Sequence, residues 1–247
     1  MSKINFPSIL FLIIFSLSES FTQNEILFSS ELYKIILTDK LLSVRNNNEN
    51  EIFTKEFLKP EVHSLDLDGD GIDEFLIKDI IELDSSKEYF LYIYNLLDTF
   101  YLSAEINSGV VEPYETFSEE IEGLIVVSGN TDFSFLNIGS EIKSLPINSW
   151  KFEDGELFLV NEELYDIFMT ENDNHLSIIY SRDINDCDKS VQAKSLLASI
   201  YINYLNAGEI ATAENVLKTL YLCDDVETFK SELNNIFNKE NNETELE

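Results

Sequence analysis

Positive charge is scarce in this chain. Its 247 residues include 16 Lys and Arg against 47 Asp and Glu, which gives a formal net charge of −31 at pH 7. Nucleic-acid phosphates and anionic membrane surfaces are both bound through Lys and Arg. The composition therefore argues against either partner. It favours attraction of a basic protein, or an adaptation of the protein to salt, and these two explanations stay open.

The residues and motifs of well-known catalytic sites are also scarce. The two histidines, His63 and His175, have no Ser or Cys partner in a recognisable arrangement, and there is no phosphate-binding loop, dinucleotide motif or nucleophile elbow. We therefore expect a protein that is not an enzyme. The alternative is a hydrolase of polysaccharide or peptide that uses carboxylates such as Glu153 or Asp154.

Long hydrophobic runs are missing, but one short apolar run lies near the N-terminus. Lys3 precedes the apolar residues 9–15, and the small residues Ser18 and Ser20 follow them. This order is typical of a secretory signal peptide, and the run is too short to be a permanent membrane anchor. We predict a signal peptide over residues 1–20 and an exported chain, periplasmic or secreted, with no integral membrane segment after cleavage.

Short runs rich in β-branched and aromatic residues alternate with polar turns through most of the chain. Such runs predict antiparallel strands, and they occur at residues 32–37, 40–44, 51–57, 62–67, 75–83, 89–94, 100–103, 123–127, 133–136, 156–160 and 176–180. Because no helical pattern separates them, residues 21–183 are predicted to form one β domain, a sandwich or blade-like sheets.

The apolar period changes to three and four residues in the last part of the chain. This spacing predicts helices at residues 196–205, 210–222 and 226–237. We place a small helical domain at residues 184–239 and an acidic disordered tail at residues 240–247. The predicted fold class is therefore α+β, with an antiparallel β domain followed by a helical hairpin domain.

The chain has only two cysteines, Cys187 and Cys223. Two thiols without clustered histidines do not make a zinc site, and an exported chain with an even count favours a disulfide. Cys187 precedes the first predicted helix of the hairpin and Cys223 follows the second, so an antiparallel pair would bring them together. We predict a Cys187–Cys223 disulfide, with two buried free thiols as the alternative.

The most distinctive stretch of the sequence is an acidic loop at residues 66–74. It contains five carboxylates and two glycines directly before an apolar run. Ca²⁺ takes six to eight oxygen ligands, and acids at alternate positions of a tight loop can supply them. We predict a calcium site in which carboxylates and one backbone carbonyl are the ligands, contributed by Asp66, Asp68, Asp70, Ile72 (carbonyl) and Glu74. The alternative is an acidic turn that binds no metal tightly.

The loop is not an EF-hand, because its twelfth position is Ile77 instead of a bidentate Glu, and strands are expected on both sides of it. Its pattern Asp-x-Asp-Gly-Asp-Gly-x-x-Glu, followed by an apolar strand, resembles the calcium loop of FG-GAP and VCBS-type repeats. Across residues 62–162 the chain is similar to small exported bacterial proteins built on one such unit. Some of those proteins inhibit lysozyme, so the resemblance implies a calcium-stabilised β fold that binds a protein.

Residues 190–222 resemble a tetratricopeptide unit, with Gly208 at the break between two helices and Ala213 at their crossing. A plain helical hairpin needs the same small residues. From these observations we expect an exported, calcium-stabilised, non-catalytic module that binds a protein, such as an inhibitor of a basic enzyme. An exported hydrolase and a surface adhesion or structural protein are the alternatives.

Overall fold

The computed structural model describes residues 25–29, 32–84, 86–96, 99–121 and 123–244. The predicted signal peptide, residues 1–20, lies outside them. Internal contacts divide the chain into two compact units, the first ending at Glu56 and the second beginning at Phe57. The boundary predicted between residues 183 and 184 falls inside the second unit.

The first unit is a single antiparallel sheet with strands in sequence order. Its strands are β1 (Glu25–Ser29), β2 (Tyr33–Thr38), β3 (Leu41–Asn46) and β4 (Glu51–Glu56). The predicted hairpin between β2 and β3 is confirmed: the turn residue Asp39 has a φ of 55°, in the left-handed region that Asp tolerates. Ile35 pairs with Val44 in the register, and both side chains are buried.

The second unit opens with an antiparallel meander in which each strand pairs with the next. Its strands are β5 (Pro60–Leu65), β6 (Glu74–Glu82), β7 (Lys87–Asn95) and β8 (Tyr101–Gly109). β6 and β7 lie in the middle of the sheet and are mostly buried, whereas β5 and β8 form its two edges. The apolar and aromatic runs of the sequence therefore form the central strands.

A third antiparallel sheet follows, in the order β12-β11-β10-β9. Its strands are β9 (Tyr114–Phe117), β10 (Leu124–Gly129), β11 (Ile147–Glu153) and β12 (Glu156–Leu159). Leu76 and Ile93 of the meander share one apolar cluster with Val126 and Phe152 of this sheet. All four side chains are buried, so this cluster is the core that joins the two sheets of the second unit.

Five α-helices complete the described part of the unit and confirm the α+β class. They are α1 (Tyr165–Tyr180), α2 (Cys187–Gln192), α3 (Lys194–Asn206), α4 (Ile210–Leu220) and α5 (Val226–Thr244). α3 packs against both α1 and α4, and nearly all of its side chains are buried. Gly208, with a φ of 75°, lies at the break between α3 and α4, where the left-handed region favours glycine.

A polar stripe on α3 attaches the helices to the β part of the unit. Ser199 Oγ lies 3.1 Å from Ser144 Oγ, and Asn203 Oδ1 accepts a hydrogen bond from the backbone N–H of Ile147 at 3.1 Å. Ser199 and Asn203 are fully buried one helical turn apart. Because buried polar groups need partners, these bonds fix the position of α3 against the segment that leads into β11.

Two predicted strands are wrong. Residues 176–180 are the last turns of α1, whose buried residues include Phe168, Asn172 and Ile179 at helical spacing. Residues 133–136 lie in a 3-10 helix over Thr131–Asn137, which Asn130 caps by accepting a hydrogen bond from the Asp132 N–H at 3.1 Å. Strands β1, β9 and β11 and helices α1 and α2 were not among the predicted elements.

The C-terminal helix is longer than the sequence predicts. α5 continues through residues 240–244, the start of the predicted disordered tail, and residues 245–247 lie outside the described residues. Within the described part of the chain, no helix combines the length and the hydrophobicity needed to cross a bilayer.

Candidate metal centre and groove

The acidic loop connects two paired strands of the meander. Leu65 at the end of β5 pairs with Glu74 at the start of β6, so the two ends of the loop are held side by side. Both strands continue away from the loop in an antiparallel ladder. The structure therefore places the loop between two strands and not between helices, as the sequence predicts.

The two glycines allow the loop to turn sharply. Gly69 and Gly71 have φ angles of 78° and 88°, in the region that side-chain-bearing residues rarely adopt. Their N–H groups donate to the two carboxylate oxygens of Asp66, at 2.8 Å and 3.0 Å. The turn is thus wrapped around the Asp66 side chain.

Three carboxylates of the loop converge on one point. Asp66, Asp68 and Glu74 each offer an oxygen, and these oxygens lie within 4.8 Å of one another. Two ligands on opposite sides of a Ca²⁺ ion, each at about 2.4 Å, are separated by the same distance. The spacing therefore fits a hard divalent cation bound by carboxylate oxygens.

Glu74 is the unusual member of this cluster because its side chain is buried, with only 3% of its surface exposed. Burial, together with the negative charge of the neighbouring Asp68, raises the pKa of its carboxyl to about 7, against the opposing effect of a hydrogen bond from the Leu67 N–H. In the described part of the chain no Lys or Arg forms an ion pair with it. A bound cation would supply the missing positive charge, so the donor set fits the predicted Ca²⁺.

The same glutamate connects the loop to the core. Glu74 Oε2 accepts the Leu67 N–H at 3.0 Å, and the Leu67 side chain is buried in the cluster between the two sheets. The Leu67 carbonyl in turn accepts from the N–H of Leu124 at the start of β10. A cation at this site would therefore hold the junction of two sheets as well as the loop itself.

The remaining predicted ligands are placed differently. Asp70 lies outside the three-carboxylate cluster, and its Oδ1 accepts the N–H of Ile72 at 2.7 Å. Asp73, which was not predicted as a ligand, accepts a hydrogen bond from Ser64 Oγ at 3.0 Å. The ligand roles of Asp70 and of the Ile72 carbonyl remain predictions.

The structure brings His175 into a polar cluster that the sequence does not reveal. Its Nε2 lies 3.5 Å from Ser144 Oγ and 4.0 Å from Glu171 Oε2, and Tyr114 donates to Glu171 at 3.0 Å. Burial lowers the pKa of His175 to about 4. A nucleophilic triad needs the serine and the acid on different ring nitrogens, whereas here both approach Nε2. The arrangement is therefore not that of a triad.

The carboxylates considered for a hydrolase lie at the surface. Glu153 ends β11, is exposed and pairs with Lys151 at 3.1 Å, and Asp154 occupies the adjoining turn with a φ of 53°. His63 also pairs with an acid, Glu115, at 3.2 Å. These positions are those of turn and strand residues.

A groove of about 650 Å³ lies where β8 approaches the third sheet. One wall is the run 103–107 of β8, and the others come from β10, β11, β12 and the 3-10 helix. Trp150 is half-buried and lines the groove. No periodic signal in the sequence marks this groove, because its walls come from four separate segments.

Hydrogen bonds fix the polar floor of the groove. The Trp150 Nε1–H donates to Ser128 Oγ at 2.8 Å, and Asn148 Oδ1 accepts from the side-chain amides of Asn130 at 3.3 Å and Asn161 at 3.1 Å. These serine and asparagine side chains are buried. A floor held in this way keeps its shape without a ligand.

The chain matches no known protein family, no curated protein and no solved structure. The resemblance to calcium-loop repeats therefore remains one of local sequence pattern.

Proposed function

We propose that this protein is an exported, calcium-stabilised, non-catalytic module that binds a basic protein. The observation that carries the proposal is the groove beside β8, which combines a preformed floor with acidic walls. Glu105, Asp132 and Glu156 line it, and none of its described lining residues is Lys, Arg or His. Such a surface attracts a basic partner and repels acidic ones.

The acidic loop supports this function by stabilising the fold. Carboxylates that hold a cation stay ionised and do not transfer protons, so the loop fits a structural role. Its link through Leu67 to β10 lies in the same two-sheet core that carries the walls of the groove. Calcium is therefore proposed to keep the two sheets together, while the partner binds at their edge.

The covalent structure is compatible with export. Cys187 and Cys223 form a disulfide, with their Cα atoms 4.7 Å apart. Structural disulfides persist in oxidising compartments and are rare in the cytosol. Among basic partners in such compartments, lysozyme is the one that the resemblance to calcium-loop proteins suggests.

The test is a binding measurement with lysozyme and with native extracellular material. In 1 mM CaCl₂ and low salt, the immobilised protein is expected to retain proteins of basic isoelectric point, lysozyme among them, and to release them as NaCl is raised. Retention that shows no preference for basic over acidic proteins would contradict the proposal. So would hydrolysis in a glycosidase and protease panel that Glu153→Gln abolishes while the fold is intact.

A further inference from the structure

We infer that the groove beside β8 binds an extended basic segment of the partner by adding a strand to the edge of β8 opposite β7. This inference rests on the proposed function and specifies its partner chemistry and its mode of binding. The recognised group is a peptide in β conformation whose alternate side chains are Lys or Arg.

The first argument is the position of β8 in its sheet. It pairs with β7 along one side and is the last strand in the order β5-β6-β7-β8. Successive residues of a strand point to opposite faces, yet the continuous run 103–107 lines the groove. The groove is therefore bordered by the edge of the strand, where backbone groups can pair with an added chain.

The second argument is size. The run 103–107 extends about 16 Å at the rise of roughly 3.3 Å per residue of a strand. Partner segments of this length are typical of strand addition, in which main-chain hydrogen bonds provide affinity and side-chain pockets provide specificity. The groove of about 650 Å³ has room for such a segment alongside β8.

The third argument is charge. Glu105 comes from β8 itself, Asp132 from the 3-10 helix and Glu156 from β12, and all three side chains are exposed. Ile106 and Leu157 pack in the two-sheet core, so the carboxylates of Glu105 and Glu156 lie on the opposite faces of their strands. Glu105 is also hydrogen-bonded to Tyr92. Exposed carboxylates around the groove favour a cationic segment. An acidic or phosphorylated segment would be repelled.

The fourth argument is the rigid floor. Trp150 is held by Ser128, and Asn148 by its two amide neighbours, so the groove does not have to be ordered when the segment binds. Trp150 is also the only tryptophan of the chain. Its fluorescence therefore reports directly on the environment of this groove.

The experiment titrates the full-length protein, with CaCl₂ present, with the capped hexapeptide Lys-Val-Lys-Val-Lys-Val while Trp150 fluorescence is recorded. We expect a saturable change in fluorescence, and an affinity for the peptide that falls as NaCl is added. Two further peptides carry N-methyl groups on either the lysines or the valines. Because strand addition uses the N–H groups of alternate residues, one methylated peptide should bind at least tenfold more weakly than the other.

The charge argument is tested with the double variant Asp132→Asn, Glu156→Gln. It is expected to weaken the peptide about fivefold at low salt, since two exposed charge interactions are lost. The matched control is Glu162→Gln, Glu163→Gln, which removes two exposed carboxylates outside the groove and should leave the affinity unchanged. An equal loss of affinity in both variants would show that the net charge of the protein, and not the groove, attracts the peptide.

Three results would overturn the inference: no change in Trp150 fluorescence, equal binding of the two methylated peptides, or a change produced by the neutral sugar maltotriose and not by the peptide. The last result would make the groove a carbohydrate site. If basic proteins are retained by the immobilised protein while the peptide fails, only this inference is lost. If neither binds, the proposed function fails as well.

Discussion

In the second unit two features bring separate parts of the chain together: the acidic loop and the disulfide. They differ in chemistry, because one is ionic and the other covalent. The acidic loop between β5 and β6 brings together Asp66, Asp68 and Glu74, which repel one another unless a cation is bound. The disulfide between Cys187 and Cys223 joins neutral sulfur atoms across 36 residues of the helical part. We therefore predict that the stability of the loop depends on bound cations, and that of the helical part on the redox state of the disulfide.

The two features also differ in what they hold. The loop acts through the buried Leu67 on the junction of two sheets, whereas the disulfide joins the start of α2 to the residues after α4. Next to the disulfide, Ser190 Oγ accepts the N–H of Leu222 at 3.1 Å. The comparison shows that long-range closure of the helices is covalent, while the short loop relies on electrostatics.

The largest expected effect on the free energy of unfolding comes from removing the disulfide. The double variant Cys187→Ser, Cys223→Ser should lose about 3–4 kcal/mol of unfolding free energy, because a loop of this length gains entropy when unfolded. Denaturant unfolding with CaCl₂ present measures the loss. The calcium-dependent part of the stability should be the same as in the native protein, and a loss below about 1 kcal/mol would contradict the role of the disulfide.

The next effect is the pH dependence of the helical part. His175 has its pKa lowered by burial to about 4, below the value near 6.5 expected when unfolded. The unfolded chain therefore takes up this proton first, and stability is lost as pH falls from about 6.5 to 4, by at most about 3 kcal/mol. The free energy of unfolding is measured between pH 6.5 and 4 in the Glu74→Gln variant with EDTA present. In this variant protonation of Glu74 cannot contribute to the pH dependence.

The groups around His175 set the control for that prediction. Its ring faces Ser144 and Glu171, and Tyr114 bonds to the same glutamate. His175→Gln should flatten the dependence of stability on pH between 6.5 and 4. An unchanged slope in this variant would assign the effect to other groups.

The third prediction concerns the acidic loop. Calcium at about 100 times its dissociation constant should add about 2.7 kcal/mol to the unfolding free energy and raise the melting temperature. Asp68→Asn and Glu74→Gln should remove this increment. Asp73→Asn should keep it, because Asp73 bonds to Ser64 outside the cluster. A melting curve that EDTA leaves unchanged would refute the calcium site.

Asp70→Ala refines the ligand set in the same assay. The sequence predicts that Asp70 is a ligand, whereas its carboxylate here bonds to the Ile72 N–H. Loss of the calcium increment would mean that Asp70 turns inward when the cation binds. A retained increment would limit the carboxylate ligands to the three that converge.

The smallest effect compares backbone strain in the two parts. Gly71→Ala in the loop and Gly208→Ala between α3 and α4 should each cost about 1 kcal/mol, because both residues have positive φ. A Cβ atom at either position meets no neighbour within 4 Å, so sterics adds nothing. Denaturation in EDTA should give equal losses, and a much larger loss at one site would indicate a further role for that glycine.

Several elements were predictable because their signals are local. The helices α3, α4 and α5 follow an apolar period, and the β2–β3 hairpin follows apolar runs around a turn at Asp39. The acidic loop was predictable too, because its acids and glycines are close together in the sequence. In the structure the two glycines have positive φ, as a sharp turn requires. The pairing of Cys187 with Cys223 followed from an antiparallel helix pair, and the structure confirms it.

Other elements were missed where tertiary contacts decide the outcome. The buried face of α1 includes the polar residue Asn172, whose side-chain amide donates to the Ile200 carbonyl of α3 at 3.2 Å. This polar position interrupts the apolar period, so the β-branched end of the helix was predicted as a strand. In the 3-10 helix, Phe133 is buried while Phe135 is 44% exposed, which a strand prediction does not distinguish.

By itself the sequence determined the class of fold, the position of the acidic loop between strands and the cysteines that pair, because each depends on neighbours close along the chain or on a simple antiparallel arrangement. Only the tertiary structure decided that Glu74 is buried, that His175 meets Ser144, and that β8 borders an acidic groove. Those features depend on segments far apart in sequence, and no local pattern records which of them will meet.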